Sequence, residues 1–120
     1  MTDVSPKREK IPEPLSYLDF LGRAYESPEK IFLFEAVEQR LLELITVHAY
    51  KGQPLSVMQV LMSQDILFIG ASTISRKIDT LRNDGWIHLA ADEKDRRVKY
   101  VYPSQKTWAY FANVSQLMVS

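Results

Sequence analysis

Apolar residues recur along the N-terminal part of this chain at the three- and four-residue spacings of amphipathic helices. The first such segment predicts a short helix, and its apolar stripe consists of Leu15, Leu18, Leu21 and Ala24 or Tyr25. Ser27 then precedes Pro28, an order typical of a helix N-cap followed by proline at the first helical position. Because Glu29 would also suit the positive end of a helix dipole, these residues predict that a second helix begins here.

Two apolar stripes run along the second predicted helix as far as Gly52 and Pro54, which end it. The first stripe consists of Phe34, Val37, Leu41, Leu44 or Ile45, and His48. The second stripe consists of Phe32, Leu33, Leu42 and Ala49. A helix with two stripes is expected to be buried on two sides, as between a domain core and a neighbouring chain.

The middle of the chain predicts a short helix, an apolar connection and a longer helix. The short helix begins at Ser56, and its apolar side consists of Val57, Val60 and Leu61. The connection covers residues 65–70. The buried face of the longer helix consists of Ile74, Ile78 and Leu81. We expect Ser72 to be the N-cap of this helix and Gly85 to end it in a left-handed conformation.

Two segments with alternating apolar residues, 86–90 and 97–102, predict β-strands. The residues that share a face are Ile87 and Leu89 in the first strand, and Val98, Tyr100 and Tyr102 in the second. Pro103 ends the second strand, and Ser104 is placed to cap a final helix. One side of that helix consists of Trp108, Phe111 or Ala112, and Ser115.

The order of these elements is helix, short helix, turn, helix and two-stranded hairpin, which is the order of a winged helix-turn-helix. We therefore predict a mainly α protein with a small β-hairpin (α+β) and with flanking helices for dimerisation. The 120 residues suffice for one domain with a single core, which we place at residues 15–120. Residues 1–14 are charged and contain three prolines, so we expect a flexible N-terminal segment there.

Composition changes this picture only slightly. The net charge is zero, but residues 1–69 carry 7 Lys+Arg and 10 Asp+Glu, whereas residues 70–120 carry 8 and 5. The basic C-terminal part is a weak indication of a nucleic-acid-binding face. The chain has no cysteine, which excludes disulfides and thiolate metal sites and fits a cytoplasmic protein. It also lacks an apolar run of about 18 residues, so no membrane span is expected.

The longer helix carries polar side chains opposite its apolar face. These are Ser72, Arg76, Thr80 and Asn83, with Thr73 and Lys77 beside them. Such a helix can enter the major groove of DNA, which is roughly 12 Å wide, while its apolar face anchors it to the core. Its free N–H groups, with Ser72 and Thr73, suit a phosphate, and the fork of Arg76 suits the edge of a guanine. We refer to it below as the recognition helix.

A run of charged residues lies between the two predicted strands. It consists of Asp92, Glu93, Lys94, Asp95, Arg96 and Arg97. A solvated hairpin turn would have a similar composition. The position of the run after the recognition helix and before an apolar strand favours a DNA contact instead.

The segments STISRKIDTLRNDGWI (72–87) and DEKDRRVKYVYPSQKT (92–107) resemble the MarR (multiple-antibiotic-resistance regulator) family of winged-helix transcription factors. The recognition helix matches the family pattern S-T-hydrophobic-S-R, which adds Ser75 to the candidate DNA contacts. The charged run matches D-x-R-D-x-R, with Lys94 in place of an arginine, and a proline–serine pair stands where the family has leucine–threonine. The resemblance covers roughly residues 40–108.

This resemblance implies a cytoplasmic, dimeric regulator of transcription that binds double-stranded DNA, and we expect a repressor. It also implies that basic side chains of the charged run reach the minor groove while acids orient them. The minor-groove candidates are Arg96 and Arg97, Lys94 is a further candidate DNA contact, and the orienting residues are Asp92 and Asp95. The homodimer would form through helices within 15–50 and 104–119. Family members often bind a small phenolic effector between the two regions, but no residue here carries this property over.

Other kinds of site find little support in the sequence. His48 and His88 lack metal-ligand spacing, and the acids Glu35, Glu38 and Glu43 are interpreted as a solvated helix face. No nucleotide-binding fingerprint or catalytic triad is present, so we expect no enzyme, cofactor or metal. Two alternatives to a DNA-binding regulator stay open: a winged-helix module that binds protein, and an accessory module of a replication or mobile-element system.

Overall fold

A computed structural model of the chain describes residues 15–28 and 34–119, and within these ranges it contains six helices and one antiparallel hairpin. The elements are α1 (Ser16–Glu26), α2 (Ala36–Tyr50), α3 (Val57–Leu61), α4 (Gln64–Leu67), α5 (Ala71–Asn83), β1 (Ile87–Ala91), β2 (Lys99–Pro103) and α6 (Gln105–Met118). The predicted winged helix-turn-helix is thereby confirmed. The expected flexible segment 1–14, and the predicted helical residues Glu29, Phe32 and Leu33, lie outside the described residues.

The core lies where α2 meets α5 and the hairpin. Its buried side chains are Leu41, Leu42, Ile45, Val60, Leu67, Ile74, Ile78, Leu81, Ile87 and Val101. The three residues from α5 are those that the helical spacing predicts. Because this stripe holds α5 against α2, the opposite side of α5 faces solvent.

The start of α2 differs from the prediction. The helix begins at Ala36 after Glu35, whose extended backbone (ψ 164°) makes it the N-cap. Ser27 is instead the C-cap of α1, and its N–H donates to the Ala24 carbonyl at 3.3 Å. The Ser-Pro pair therefore marks the end of α1, because proline cannot continue the hydrogen bonding of the helix before it.

The apolar stripe predicted for α1 is confirmed for Ala24 but not for Leu18. Phe20 and Ala24 are the buried residues, whereas Leu18 and Tyr25 are 57% and 78% exposed. This helix packs on α6, where the Nε of Arg23 donates to the carbonyl of Leu117 at 2.5 Å. Since only one face of α1 is covered, the apolar residues on the other faces stay in contact with solvent.

The helix-turn-helix itself follows the prediction with two changes. Ser56 caps α3 through a capping box with Gln59, as expected for a helix that begins there. The apolar connection contains a one-turn helix, α4, that the sequence did not predict. The N-cap of α5 is Gly70 and not Ser72, because the backbone is already helical at Ala71.

Gly85 ends α5 with φ +83°, which confirms the predicted left-handed C-terminus. The two strands then pair antiparallel from Ile87 with Pro103 to Ala91 with Lys99, close to the predicted limits. Val101 points into the core, whereas the outer face of the hairpin carries His88 stacked on Tyr102, with ring centroids 5.6 Å apart. The hairpin therefore has one face fixed to the domain and one face in solvent.

Helix α6 begins after Ser104, whose hydroxyl accepts a hydrogen bond from the Thr107 N–H, as predicted for a cap. The Thr107 hydroxyl donates to the carbonyl of Trp86 at 2.5 Å and ties α6 to the end of α5. Tyr110 packs edge-on against Phe34 and Trp86, with ring centroids 5.5 and 5.9 Å away. This aromatic cluster joins the start of α2, the start of the hairpin and α6.

Candidate nucleic-acid interface

The outer side of the recognition helix α5 displays the residues that the sequence predicted. Exposed side chains on it include Ser72, Ser75, Arg76 and Thr80, and Thr73 is partly buried. The Nη2 of Arg76 lies 3.4 Å from the Thr73 hydroxyl, so the guanidinium leans toward the N-terminal end of the helix. That end carries the unpaired N–H groups and partial positive charge that attract anions. The helix therefore offers hydroxyl, N–H and guanidinium donors at one end.

Lys77 does not belong to this exposed set. Its Nζ pairs with an Oε1 of Glu35 and, at 3.2 Å, with the Oε2 of Glu38. The side chain of Lys77 is 22% exposed and that of Glu38 is 18% exposed. Hydrogen bonds that the Lys77 amine donates to Glu35 and, second, to Glu38 raise the pKa of Lys77, so its amine is charged and already paired. Lys77 was predicted to contact DNA, but in the structure its amine is bound by Glu35 and Glu38.

The hairpin tip, residues 92–98, is held by its own acids, and we call it the wing loop. The Oδ2 of Asp92 accepts hydrogen bonds from the N–H groups of Lys94 and Asp95, at 3.0 and 2.9 Å. This is an Asx turn, in which the side chain takes the place of a backbone acceptor. The loop is closed by the Asp92 N–H donating to the Val98 carbonyl at 2.8 Å. Asp92 therefore orients the loop backbone.

Asp95 orients an arginine. Its Oδ1 lies 3.0 Å from Nε of Arg97 and its Oδ2 lies 3.2 Å from Nη2, a two-point contact with the guanidinium fork. The hydrogen bonds from Arg97 lower the pKa of Asp95, and Asp95 raises the pKa of Arg97, so both groups are charged at neutral pH. The Arg97 side chain is nevertheless 91% exposed. The ion pair directs Arg97 without covering it, and its remaining N–H donors face solvent.

Arg96 and Lys94 are the unconstrained cations of the wing loop. Both side chains are exposed, and neither makes a hydrogen bond or ion pair within residues 15–28 and 34–119. With Arg97 they place three cationic groups at the tip of the hairpin. The acids Asp92 and Asp95 are occupied inside the loop, so the charged side chains left fully exposed are these three cations and the acid Glu93.

A groove of about 490 Å³ lies on the side of α2 away from α5, between α2 and α6. It is lined mainly by apolar groups, from Glu43, Thr46, Val47, Tyr50, Trp108, Phe111, Ala112 and Ser115. These residues include the side of α6 that the sequence singled out. The Oγ1 of Thr46 is buried there without a hydrogen-bond partner, which is costly for a hydroxyl group. The side of α2 that lines this groove is therefore only partly covered.

The two histidines occupy ordinary packing positions. The Nδ1 of His48 lies 3.0 Å from the Leu44 carbonyl one turn earlier, and His88 stacks on Tyr102. Across the part of the chain that the structure describes, no three His, Cys, Asp or Glu side chains gather as metal ligands would. Among those same residues, no helix is long and apolar enough to cross a membrane.

Sequence reasoning missed the role of Glu35 and Glu38, which were expected to form part of a solvated face. The spacing of these acids could have indicated an ion pair. Two acids three residues apart at the start of one helix can bind a lysine at the edge of the apolar stripe of another helix. The spacing does not identify the partner, since 39 residues separate Lys77 from Glu38. Glu43 does lie exposed, where it accepts a hydrogen bond from Gln39 at 2.8 Å.

The sequence matches no protein-family model and no curated protein, whereas the fold matches many solved structures. The transcriptional regulator Tm0710 of Thermotoga maritima superposes with a TM-score of 0.60 at 15% identity, over 87% of this chain and 65% of that one. FabT of Streptococcus pneumoniae, solved in complex with DNA, gives 0.56 at 17% identity, over 86% and 69%. MarR gives 0.53 at 15% identity, over 85% and 66%.

The chain thus spans about two thirds of the length of each of these regulators. The chain itself has the order of helices and the hairpin that the sequence predicts. The fold of the chain is therefore a winged helix-turn-helix similar to the fold of MarR.

Proposed function

We propose that this protein binds double-stranded DNA and regulates transcription, with α5 in the major groove and the wing loop at the minor groove. The observation that carries the proposal is the structure of the wing loop. In it Asp92 holds the loop backbone, and Asp95 holds Arg97 in place. Such pre-organisation of Arg97 and of the loop backbone lowers the entropy cost of meeting a phosphate or a narrow groove. FabT, which shares the fold, was solved in complex with DNA.

Each candidate residue has a role that follows from its position. Ser72, Thr73 and the free N–H groups of the first turn would bind phosphate and set the register of α5. Arg76 would contact the edge of a guanine, and Ser75 and Thr80 would lie against neighbouring bases or sugars. We assign no direct DNA contact to Lys77, because its amine is bound by two acids. As a repressor, the protein would act by occupying its operator.

A salt titration tests whether the protein binds duplex DNA at all. Fluorescence anisotropy with a labelled mixed-sequence duplex should show binding. The logarithm of the association constant should fall linearly with the logarithm of the salt concentration. The slope should be about −0.9 for each phosphate that is neutralised. Absence of binding at low salt, or binding that ignores salt, would contradict the proposal.

A protein-binding module is the second candidate, and one surface favours it. Met58, Met62, Ile66 and Phe68, on α3, α4 and the residues that follow each, are 63–79% exposed. Phe68 also has φ 59°, a left-handed conformation that is unusual for a bulky residue. A module that bound only protein would fail the salt titration, so the same experiment separates the two candidates.

We propose that the protein is a homodimer in which α1 and the end of α6 meet their copies. The exposed apolar residues of these elements are Tyr17, Leu18, Tyr25, Met118 and Val119. Sedimentation should therefore give twice the chain mass of 13.9 kDa. Leu18→Glu should shift the protein toward monomer, because it places a charge inside the interface. Met58→Glu, at an equally exposed apolar site elsewhere, should stay dimeric; monomeric wild-type protein would contradict the proposal.

We propose that a small aromatic effector binds in the groove between α2 and α6. Such a ligand would cover the apolar lining of the groove. In a Trp86→Phe background, a simple phenol should change the fluorescence of Trp108, which lines the groove. An unchanged Trp108 signal up to the solubility of the phenol would contradict this site.

A further inference from the structure

The ion pair between α5 and the start of α2 lies apart from the proposed DNA contacts. Lys77 follows Arg76 directly in sequence, yet Arg76 is exposed and Lys77 turns inward to Glu35 and Glu38. Glu35 is the N-cap of α2 and Glu38 lies in its first turn, where the helix dipole favours a negative charge. The amine of Lys77 thus bridges two acids that lie three residues apart, on the same face at the start of α2.

The start of α2 is also a rigid point in the domain. Phe34 packs edge-on against Trp86 at 4.7 Å, and the Tyr110 hydroxyl donates to the Oε1 of Gln39 at 3.1 Å. A group bound to this part of α2 is therefore held relative to the hairpin and α6 as well. Lys77 connects the middle of the recognition helix to that rigid point.

The apolar stripe of α5 determines which side of the helix is buried, but it resists a small rotation about the helix axis less than a directional contact does. Hydrophobic burial is non-directional, so a small roll of the helix about its axis changes the buried area little. A charge-assisted hydrogen bond depends on distance and angle and resists such a roll. Since Arg76 lies one residue from Lys77, any roll of α5 would redirect Arg76 as well.

We propose that Glu35 and Glu38 are positioning residues for DNA recognition, acting through Lys77. They set the rotation of α5, and so the direction of Arg76, and they keep the Lys77 amine away from phosphate. This inference rests on the proposed function, because it concerns how the same DNA-binding surface is oriented.

The test compares Lys77→Met with the Glu35→Gln/Glu38→Gln double variant. Two quantities are measured: the ratio of affinities for an enriched operator and a mixed-sequence duplex, and the salt slope for the mixed duplex. We expect Lys77→Met to lower the ratio roughly tenfold and to leave the slope unchanged. The double variant should lower the ratio similarly, and the triple variant should show no further loss, since the three residues act as one unit.

Arg96→Gln is the matched control, because it removes one cation that is assigned to DNA. It should lower the salt slope by about 0.9, whereas Lys77→Met should not. If Lys77→Met reduced the magnitude of the salt slope by about 0.9, Lys77 would be shown to neutralise a phosphate, and the inference would be overturned. An unchanged affinity ratio in Lys77→Met, or losses that add in the triple variant, would overturn it too.

A measurement without DNA separates this inference from the proposed function. Residual dipolar couplings of the free protein report the orientation of α5 relative to α2. Lys77→Met and the double variant should change that orientation in the same direction, and an unchanged orientation overturns the inference. Failure of the wild-type protein to bind any duplex would instead overturn the proposed function.

Discussion

Replacing Arg96 and Arg97 together by glutamine is expected to weaken duplex binding roughly 100-fold at physiological salt. Each hydrogen bond to a charged group contributes about 1.5–3 kcal/mol, and about 1.4 kcal/mol corresponds to a tenfold change in affinity. Both side chains are exposed at the wing loop, so their loss leaves the core intact. The salt slope should fall by about 1.8, since two cations no longer displace counterions from the phosphate backbone. Anisotropy titrations at several salt concentrations measure both quantities.

The charge-matched control is Arg40→Gln/Lys51→Gln, which removes two exposed cations of α2 and its C-cap. It changes the net charge of the protein by the same amount, yet its affinity should stay within about twofold of wild type, because surface charges remote from the contact are screened. Equal losses in the two double variants would mean that binding depends on overall charge. The wing loop would then have no special part in it.

Ile74→Ala is expected to reduce the free energy of unfolding by about 2–5 kcal/mol. Ile74 is completely buried on the inner face of α5, in the cluster that contains Leu41, Ile78 and Leu81. Truncation removes apolar contacts and leaves a cavity, because close-packed neighbours fill such space only in part. A loss of this size is a large fraction of the usual stability of a domain, about 5–15 kcal/mol. Urea unfolding followed by circular dichroism measures it.

Ser75→Ala provides the control from the next position of the same helix. Ser75 is exposed, so its replacement should change the free energy of unfolding by no more than about 0.5 kcal/mol. If Ile74→Ala also cost less than about 1 kcal/mol, the inner face of α5 would not be what anchors the recognition helix. The arrangement proposed for DNA binding would then lack its support.

Local periodicity was enough to predict the parts of the fold that depend on neighbouring residues. The spacing of Ile74, Ile78 and Leu81 identified the inner face of α5, and Gly85 identified its end. The capping role of Ser104 and the start of α3 at Ser56 were also predicted, since an N-cap bonds to groups only two or three residues away. The charged run between two alternating segments located the wing loop for the same reason.

Features that depend on distant contacts were not predicted. The covered face of α1 is decided by α6, so an apolar stripe read from α1 alone included the exposed Leu18 and Tyr25. The side chain of Lys77 had the position of a DNA contact on a helical projection, but acids 39 and 42 residues earlier bind it. Which arginine Asp95 holds was likewise left open by the pattern, and the two-point contact with Arg97 answers it.

Selection of bound duplexes from a random pool, at two salt concentrations, tests whether the protein reads a DNA sequence with α5 and the wing loop. We expect enrichment of one motif that survives at the higher salt, with half-sites about 34–36 Å apart, while non-specific retention falls steeply. Retention without an enriched motif, or no retention at either concentration, would mean that the protein does not read a DNA sequence.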